Sequence, residues 1–486
     1  MGINDRLNKL NMKRVASYLK RNGLRKTYYK VRERLNRDDE EKDYLIRVEE
    51  ARLNEAEAER QRRKKFFHNY KFSILVPAYN TKPEFLKGMM DSVVAQTYTD
   101  WELCIADGSD TDIVQNTVKE YCALLDEETK SKIRHQRLNA NRGIAGNSNG
   151  ALVMAQGDYV GMLDHDDILT DNALYEIMEV LESGIERNGN IYSSKYKAFY
   201  SDEDKTDESE TRYFDHHSKP DFDIDLLRSN NYICHFFVVK TQIARKAGGF
   251  RSEFNGAQDH DFIFRCIEQL EPEEIYHIPK VLYHWRSSII STAENPDSKL
   301  YAYEAGKRAI KAHLDRLNID AQVSDTSHLG FFRIKYLVND PKVKIMTKDE
   351  WDYLTKESFE DIKEDYIMIL GNNIKPLSKD YINELAGMLL RKEVGAVGGK
   401  ILNKRGRIDS AGYMYDEDKK LKPLYRGMNG HYSGYLHRAS LQHKVDGLAA
   451  DCMMIKKSAV EYINKPVLSD KFLTLYDPFA LFKRKV

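Results

Sequence analysis

Three short apolar runs, Phe72-Ser73-Ile74-Leu75-Val76, Glu102-Leu103-Cys104-Ile105-Ala106 and Tyr159-Val160-Gly161-Met162-Leu163, stop abruptly at Pro77, Asp107 and Asp164. Between them lie helical patterns: Phe85 to Val94, from the Asp107-Gly108-Ser109-Asp110 turn to about Leu125, and Asn141-Arg142-Gly143-Ile144-Ala145-Gly146-Asn147 onward to Ala155. Strands that alternate with helices predict a parallel α/β sheet. The carboxyl ends of such strands converge on one crevice, so Pro77, Asp107 and Asp164 are expected on its rim.

The third run ends in Asp164-His165-Asp166-Asp167. Carboxylates this dense repel one another unless a cation sits between them, and a hard ion such as Mg²⁺ or Mn²⁺ prefers oxygen ligands. The plainer alternative is an acidic strand-to-helix turn, with Asp167 or Asp171 capping a helix that starts near Asn172.

At 486 residues and 41% hydrophobic content, the chain is long enough for more than one domain with a real core. No run approaches the ~18 apolar residues of a membrane span, and the amino terminus lacks the apolar core of a signal peptide. The five cysteines are scattered, with no Cys-x-x-Cys pair, which disfavours a disulfide framework or zinc site and fits a reducing cytoplasm. The zero formal net charge conceals an asymmetry: about +10 over residues 1–37 and about −10 over the rest. Leu7, Leu10, Val15, Leu19, Leu24 and Val31 recur there at roughly helical intervals. Such a basic amphipathic segment suits an anionic membrane surface better than nucleic acid, the alternative being a solvated helix packed on the protein body. Residues 40–66 read as a highly charged helix.

Further on, Tyr200 to Asp225 reads as an acidic loop and Asn231 to Lys240 as a strand. Gly256-Ala257-Gln258-Asp259-His260-Asp261 opens a helix, and Ile278 to Arg286 is a short strand. The chain then repeats itself imperfectly. Asp158-Tyr159-Val160-Gly161-Met162-Leu163 is echoed by Asp365-Tyr366-Ile367-Met368-Ile369-Leu370, and Cys234 to Lys240 by Cys452 to Lys456. In the second copy Gly371-Asn372-Asn373 replaces the acids. Amides lack the charge that holds a hard cation, so residues 331–486 read as a partial copy without that metal site. Asp477 falls loosely where Asp259 would in the repeat.

The order of these motifs resembles that of the inverting family 2 glycosyltransferases of GT-A fold. Seven motifs over residues 71–300 carry the resemblance: Val76-Pro77-Ala78-Tyr79-Asn80, Ala106-Asp107-Gly108-Ser109, Asn141 to Asn147, the Asp164 to Asp167 cluster, Tyr200-Ser201-Asp202-Glu203-Asp204-Lys205, Gly256-Ala257-Gln258-Asp259 and Tyr283-His284-Trp285-Arg286. It implies a GT-A catalytic domain with a Rossmann-like mixed sheet over 71–330; charge pattern sets a basic and charged helical segment over 1–70 before it, and the repeat sets a smaller, degenerate α/β domain over 331–486 after it. By the same resemblance, Asp164 and Asp166, with His284, would hold Mn²⁺ or Mg²⁺ against the diphosphate of a nucleotide-sugar. Asp259 would be the general base, with Asp261 second. Pro77, Ala78, Tyr79 and Asn80 would line the nucleoside pocket, and Asp107 would contact the base. Arg142, Gly143, Asn147 and His165 would complete the donor site. The alternatives are a helix-terminal role for Asp259, a helix cap for Asn147 and a packed core residue for His284. Asp202 and Asp204 line the acceptor side or belong to a solvated loop.

A nucleoside diphosphate leaving on a metal needs no protonation, so one base suffices where an inverting glycosidase needs an acid as well. The Gln-x-x-Arg-Trp signature of processive synthases is absent, favouring a non-processive enzyme, and Gly143-x-x-Gly146 does not match the dinucleotide fingerprint. The expected reaction is sugar transfer to a glycan, lipid-linked, at the inner face of the cell membrane in capsule or cell-wall polysaccharide synthesis. A homodimer is among the expected assemblies. The competing readings are a sugar nucleotidyltransferase, which would release pyrophosphate, and a non-catalytic glycan-binding scaffold.

Overall fold

The computed structural model describes residues 15–16, 18–24, 27–28, 31, 45–47, 52–188, 191–287, 300–460 and 471–485. They form two compact units, one from the described residues of 1–14, 36–222 and 231–313, the other from those of 15–35, 223–230 and 314–486. The basic segment expected over 1–37 lies for the most part outside the described residues. Among these, no helix is long and apolar enough to cross a membrane.

The first unit is the expected Rossmann-like mixed sheet. Strands β1 (Phe72–Ala78), β2 (Trp101–Asp107), β3 (Ile133–Arg137) and β4 (Tyr159–Met162) run parallel in the order β4-β1-β2-β3. β1 and β2 are apolar on both faces because helices cover both sides, as parallel sheets require. Helix α1 (Pro83–Val94) starts with proline, whose fixed φ suits the first turn, and buries Leu86, Met89, Met90 and Val93. Helices α2 (Ile113–Cys122) and α3 (Gly143–Met154) follow β2 and β3. The main core joins Ile74, Val76, Leu103 and Ile105 to the inner faces of α1, α2 and α4 (Ala173–Ser183). Each such side chain contributes about 1.5–3 kcal/mol on burial.

Beyond β4 the sheet turns antiparallel through β8 (Val238–Lys240), then β6 (Ala198–Thr206) and β7 (Arg212–His217). Strand β9 (Ile275–Arg286) runs parallel to β6 and reaches back to β5 (Ile168–Leu169), just past the acid cluster. The acidic stretch read as a loop over 200–225 is therefore about half strand. The spacing Ala198-Phe199-Tyr200-Ser201 fits a buried pleat, and the charges that follow it are paired. The strand read over 231–240 is confined to Val238–Lys240. Of the charged helix read over 40–66, the described residues are helical over Glu55–Arg63, while Leu45–Arg47 is a strand paired with β7.

The second unit repeats this plan with fewer strands. β10 (Val343–Met346) and β11 (Tyr366–Leu370) are parallel, as β1 and β4 are. β15 (Cys452–Lys456) lies antiparallel to β11, as β8 does to β4. β13 (Val394–Leu402) and β16 (Leu473–Arg484) are parallel, as β6 and β9 are. β12 (Ile374–Pro376) and β14 (Ile408–Ser410) stand where β5 and β7 do. Its sheet, among the described residues, holds no counterparts of β2 and β3, the strands that carry Asp107 and lead into Arg142.

Candidate active site

Asp164 follows β4 directly, Pro77 lies near the end of β1, and Asp259 sits in the first turn of helix α5 (Gln258–Ile267). All three line one cleft, together with Cys234 and His235 and the apolar side chains of Leu75, Ile144, Phe237 and Phe250. Its place at the carboxyl ends of parallel strands is where an open α/β sheet binds ligands. Helix α3 carries part of the opposite wall. Asn149 exchanges two 2.7 Å hydrogen bonds with the Phe250 backbone, and Asn255 accepts from the Ala145 amide at 3.3 Å. These bonds fix the segment leading into α5.

Asp259 does not cap its helix. The N-cap is Ala257, and the Asp259 carboxylate accepts from Asn231 Nδ2 at 2.8 Å while lining the cleft. Asp261, two positions on, is buried and accepts from both Arg251 and Arg265. Burial would raise its carboxyl, yet the two guanidinium groups bring it below the usual range. Its buried carboxylate is thus engaged in ion pairs and is absent from the cleft lining.

At the acid cluster the structure regroups the expected residues. Asp164, Asp167 and His235 each place a ligand atom within 4.8 Å of the others. Burial pushes Asp164 up, His235 pulls it back, and the charges of Asp166 and Asp259 raise it further. Asp167, 1% exposed, is raised well above the carboxylate range by burial and by Asp166 and Asp164. It caps no helix: it accepts from the Tyr283 hydroxyl and, at 2.8 Å, from the Arg286 amide. Asp166, expected as a ligand, is outside this group; its carboxylate lies 3.7 Å from His165 Nδ1, and its carbonyl accepts from Arg286 Nε at 2.6 Å.

His284, also expected at the metal, is elsewhere. It is buried, its Nδ1 lies 2.5 Å from Asp204 Oδ1, and its ring stacks on Tyr213 at 3.7 Å. Strand alternation explains the difference: Tyr283 and His284 are consecutive on β9, so only one can face the cluster, and Tyr283 does. Asp202 and Asp204 are likewise buried rather than lining an acceptor surface. Asp202 meets His277 Nε2 at 2.8 Å and accepts from the Lys219 amide at 2.8 Å.

His235 and its supports were not legible as a site. Its Nε2 is 3.9 Å from Asp164 Oδ2, its Nδ1 is 3.4 Å from Glu203 Oε2, and its ring stacks on Tyr283 at 4.6 Å. Burial alone would lower its pKa, but Cys234 and Glu203 hold it well above the ordinary imidazole value. Glu203 is pushed the other way: burial opposes ionisation, yet Lys219, His217 and His235 keep it well below its usual range.

The rim of the cleft is stitched from two turns. At the end of β1, Asn80 adopts φ 48°, a left-handed conformation that asparagine tolerates, and its amide donates to Ser109 Oγ at 2.8 Å. Tyr79 Oη donates to Asp110 Oδ2 at 2.6 Å, and the Asp110 amide donates to Asn80 Oδ1 at 3.1 Å. Asp107 is wholly buried; His135 Nε2 lies 3.3 Å away, and it accepts from Arg137 at 3.1 Å and from the Ser109 amide at 2.8 Å. Burial would raise it, but these partners hold it at about 2. Asn147, inside α3, donates to the Ala78 carbonyl at 3.4 Å and accepts from the Arg142 amide at 3.3 Å, so it ties α3 to β1 instead of capping a helix. It packs so closely on Gly108 that a Cβ there would meet its Nδ2 at 2.6 Å. Gly143 opens α3 at φ 69°, and Arg142 beside it is exposed.

The corresponding corner of the second unit is filled from within. Ile168 pairs with His284 and Ile374 with Arg484, so Arg484 takes the register position of His284. Counting back five residues from the paired Lys240 and Lys456 puts Asp451 in the place of His235. Arg484 binds Asp451 at 2.7 Å and Asp409 at 2.6 Å. Asp477 lies on β16, opposite Gly399, and so belongs to the strand matching β9 and not to a helix matching α5. The sequence comparison of Asp477 with Asp259 is therefore corrected.

Residues 73–247 match the family described as Glycosyl transferase family 2. An uncharacterized protein, y4gI, of Sinorhizobium fredii is 29% identical over 466 residues, covering 82% of this chain and 50% of that protein. The O-antigen biosynthesis protein RfbC of Myxococcus xanthus is 26% identical over 404 residues, 70% of this chain and 30% of that protein. An Escherichia coli protein named as a UDP-Glc:alpha-D-GlcNAc-diphosphoundecaprenol beta-1,3-glucosyltransferase, WfgD, is 32% identical over 118 residues, 24% and 44% of the two chains. The chain thus spans half or less of the length of these relatives. The matched segment, which runs from the first strand past the acid cluster and β8, is therefore a Glycosyl transferase family 2 domain of GT-A fold within this chain.

Proposed function

We propose that this chain is a metal-dependent, inverting, non-processive glycosyltransferase. It moves a sugar from a nucleoside diphosphate to a hydroxyl of a glycan, lipid-linked, in surface polysaccharide synthesis at the inner face of the membrane. The observation that carries the reading is the pairing of Asp259 and Asp164 across one cleft. One is a carboxylate held by Asn231 for a proton; the other belongs to a cluster whose charge calls for a cation. The donor set of two carboxylates and an imidazole within 4.8 Å suits a divalent ion such as Mn²⁺ or Mg²⁺. Such an ion, when bound, stabilises the charge that develops on the departing diphosphate.

The chain's own groups do the rest. The stitched turns at Tyr79-Asn80 and Ser109-Asp110 seat the nucleoside, with Arg142 and the amino end of α3 toward the diphosphate. The acceptor oxygen attacks the anomeric carbon opposite the leaving group while Asp259 takes its proton. The bond to the diphosphate breaks with its electron pair, and configuration inverts. A base of this kind is worth about 10²–10⁴ in rate.

UDP-sugars are the first donors to test, because the WfgD relative is named for UDP-Glc. The experiment measures nucleoside diphosphate release across UDP-, GDP- and dTDP-sugars with Mn²⁺ or Mg²⁺, beside Asp164→Asn and Asp259→Asn. Release from one donor, lost with EDTA and in both variants, is the expected result. No release and no donor-induced thermal shift would favour a glycan-binding scaffold, and pyrophosphate release a nucleotidyltransferase.

A further inference from the structure

We propose that His235 supplies a nitrogen ligand to the divalent cation at the acid cluster, with Glu203 and Lys219 as the positioning residues that aim it there. The inference rests on the reading of the cluster as a cation site and goes one step further, to the ligand that selects the ion.

The two imidazole nitrogens have different neighbours. Nδ1 is 3.4 Å from Glu203 Oε2, and Nε2 is 3.9 Å from Asp164 Oδ2. A metal-binding histidine commonly donates its second N–H to a carboxylate, which fixes the tautomer and turns the free lone pair to the ion. Glu203 is the carboxylate nearest Nδ1, a nitrogen that has no hydrogen-bond partner as it stands. The Asp164 and Asp167 oxygens complete a group whose members lie within 4.8 Å of one another. Ligand atoms on opposite sides of one small divalent ion are about 4 Å apart, so a single ion reaches all three after modest closure.

The ring is braced from two directions. Tyr283 stacks on it with planes 11° apart, and the Tyr283 hydroxyl donates to Asp167, so one side chain sets the histidine against the carboxylate. Beneath, the fully buried Lys219 ammonium is 3.1 Å from both Glu203 and the Ile233 carbonyl, and it also donates to the His235 carbonyl. A buried ion pair is a weak way to gain stability. It is an effective way to hold a carboxylate and a backbone segment in fixed relation. Of the other histidines near the cluster, His284 is bound to Asp204, and His165 lies beside Asp166, outside the group of three.

An imidazole in the ligand set favours Mn²⁺ over Mg²⁺, which prefers an all-oxygen shell. The test uses the full chain and Mn²⁺ alone. Binding is followed by the loss of the free Mn²⁺ EPR signal, and ligand identity by pulsed EPR on unlabelled protein and on protein labelled with ¹⁵N-histidine. The expected result is a directly bound nitrogen whose frequency changes with the label and which disappears in His235→Gln, with Mn²⁺ affinity down at least tenfold. Glu203→Gln keeps the nitrogen signal, weakens Mn²⁺ about tenfold and narrows the Mn²⁺-to-Mg²⁺ affinity ratio, a change that loss of packing alone would not produce. Bound Mn²⁺ without a histidine nitrogen signal overturns the inference and leaves the cation site standing. Failure of the wild-type chain to bind Mn²⁺ overturns both. Should His235→Gln fail to fold, the label comparison on the wild-type chain decides the matter.

Discussion

The two units share a strand plan but treat one corner of it differently. In the first, Asp164, Asp167 and His235 gather beside a cleft, and burial together with neighbouring carboxylates pushes the pKa of both acids upward. In the second, Arg484 sits between Asp451 and Asp409, so the positive charge is part of the chain. The comparison separates two demands. The fold needs negative charge at that corner to be balanced; chemistry needs the balancing charge to be exchangeable and reachable by substrate. An arginine meets the first demand and forgoes the second.

The contrast breaks most sharply at Asp259, the proposed base, and Asp477. Asp259→Asn is expected to lower kcat by about 10²–10⁴ with donor KM little changed, while Asp477→Asn leaves both as they are. Steady-state rates on the donor found by the release screen settle this, and an equal loss from the second substitution would reveal a second active centre. Stability should respond with opposite signs. Arg484→Met strands two carboxylates and costs about 3 kcal/mol in denaturant unfolding. Asp164→Asn relieves repulsion and raises the melting temperature in EDTA; a drop in both variants would contradict the comparison.

A pH effect belongs to the second unit. Burial and Glu384 raise Asp477 to about 7, although Phe479 and Gln442 donate to it. An acid whose folded pKa is raised keeps its proton longer in the folded chain, so stability falls as pH rises from about 4 to about 7 and is level above that. Asp477→Asn should therefore match the wild type near pH 4 and exceed it by up to roughly 4 kcal/mol at pH 8, read from denaturant melts. The smallest effect is expected from Asn372→Ala with Asn373→Ala: turnover within about twofold of wild type.

The sheet and its rim were legible because apolar runs ended by Pro77, Asp107 and Asp164 report strand ends locally. The repeat was legible from the Tyr366 to Leu370 echo. His235 was not, since Ile233 to Val239 is apolar enough to read as continuous strand, while only Val238–Lys240 joins the sheet. Nothing in sequence spacing announces Glu203 or Lys219 as its supports. Asp167 looked like a cap because its partners, Tyr283 and Arg286, are more than a hundred residues away. His284 was misplaced for the same reason: which of two consecutive residues on β9 faces the cluster depends on register with β5.

The turns tied by Tyr79, Asn80, Ser109 and Asp110 have a kinetic consequence. A donor seated there, as proposed above, would meet walls already tied together, so little chain entropy would be lost on docking. Preorganisation of this kind leaves the association rate to diffusion and orientation, without a folding step in the loops. Hydrogen exchange at Asn80 and Asp110 should then be slow before any donor is added and nearly unchanged afterward, and selectivity at this rim would come from rejecting shapes that do not fit.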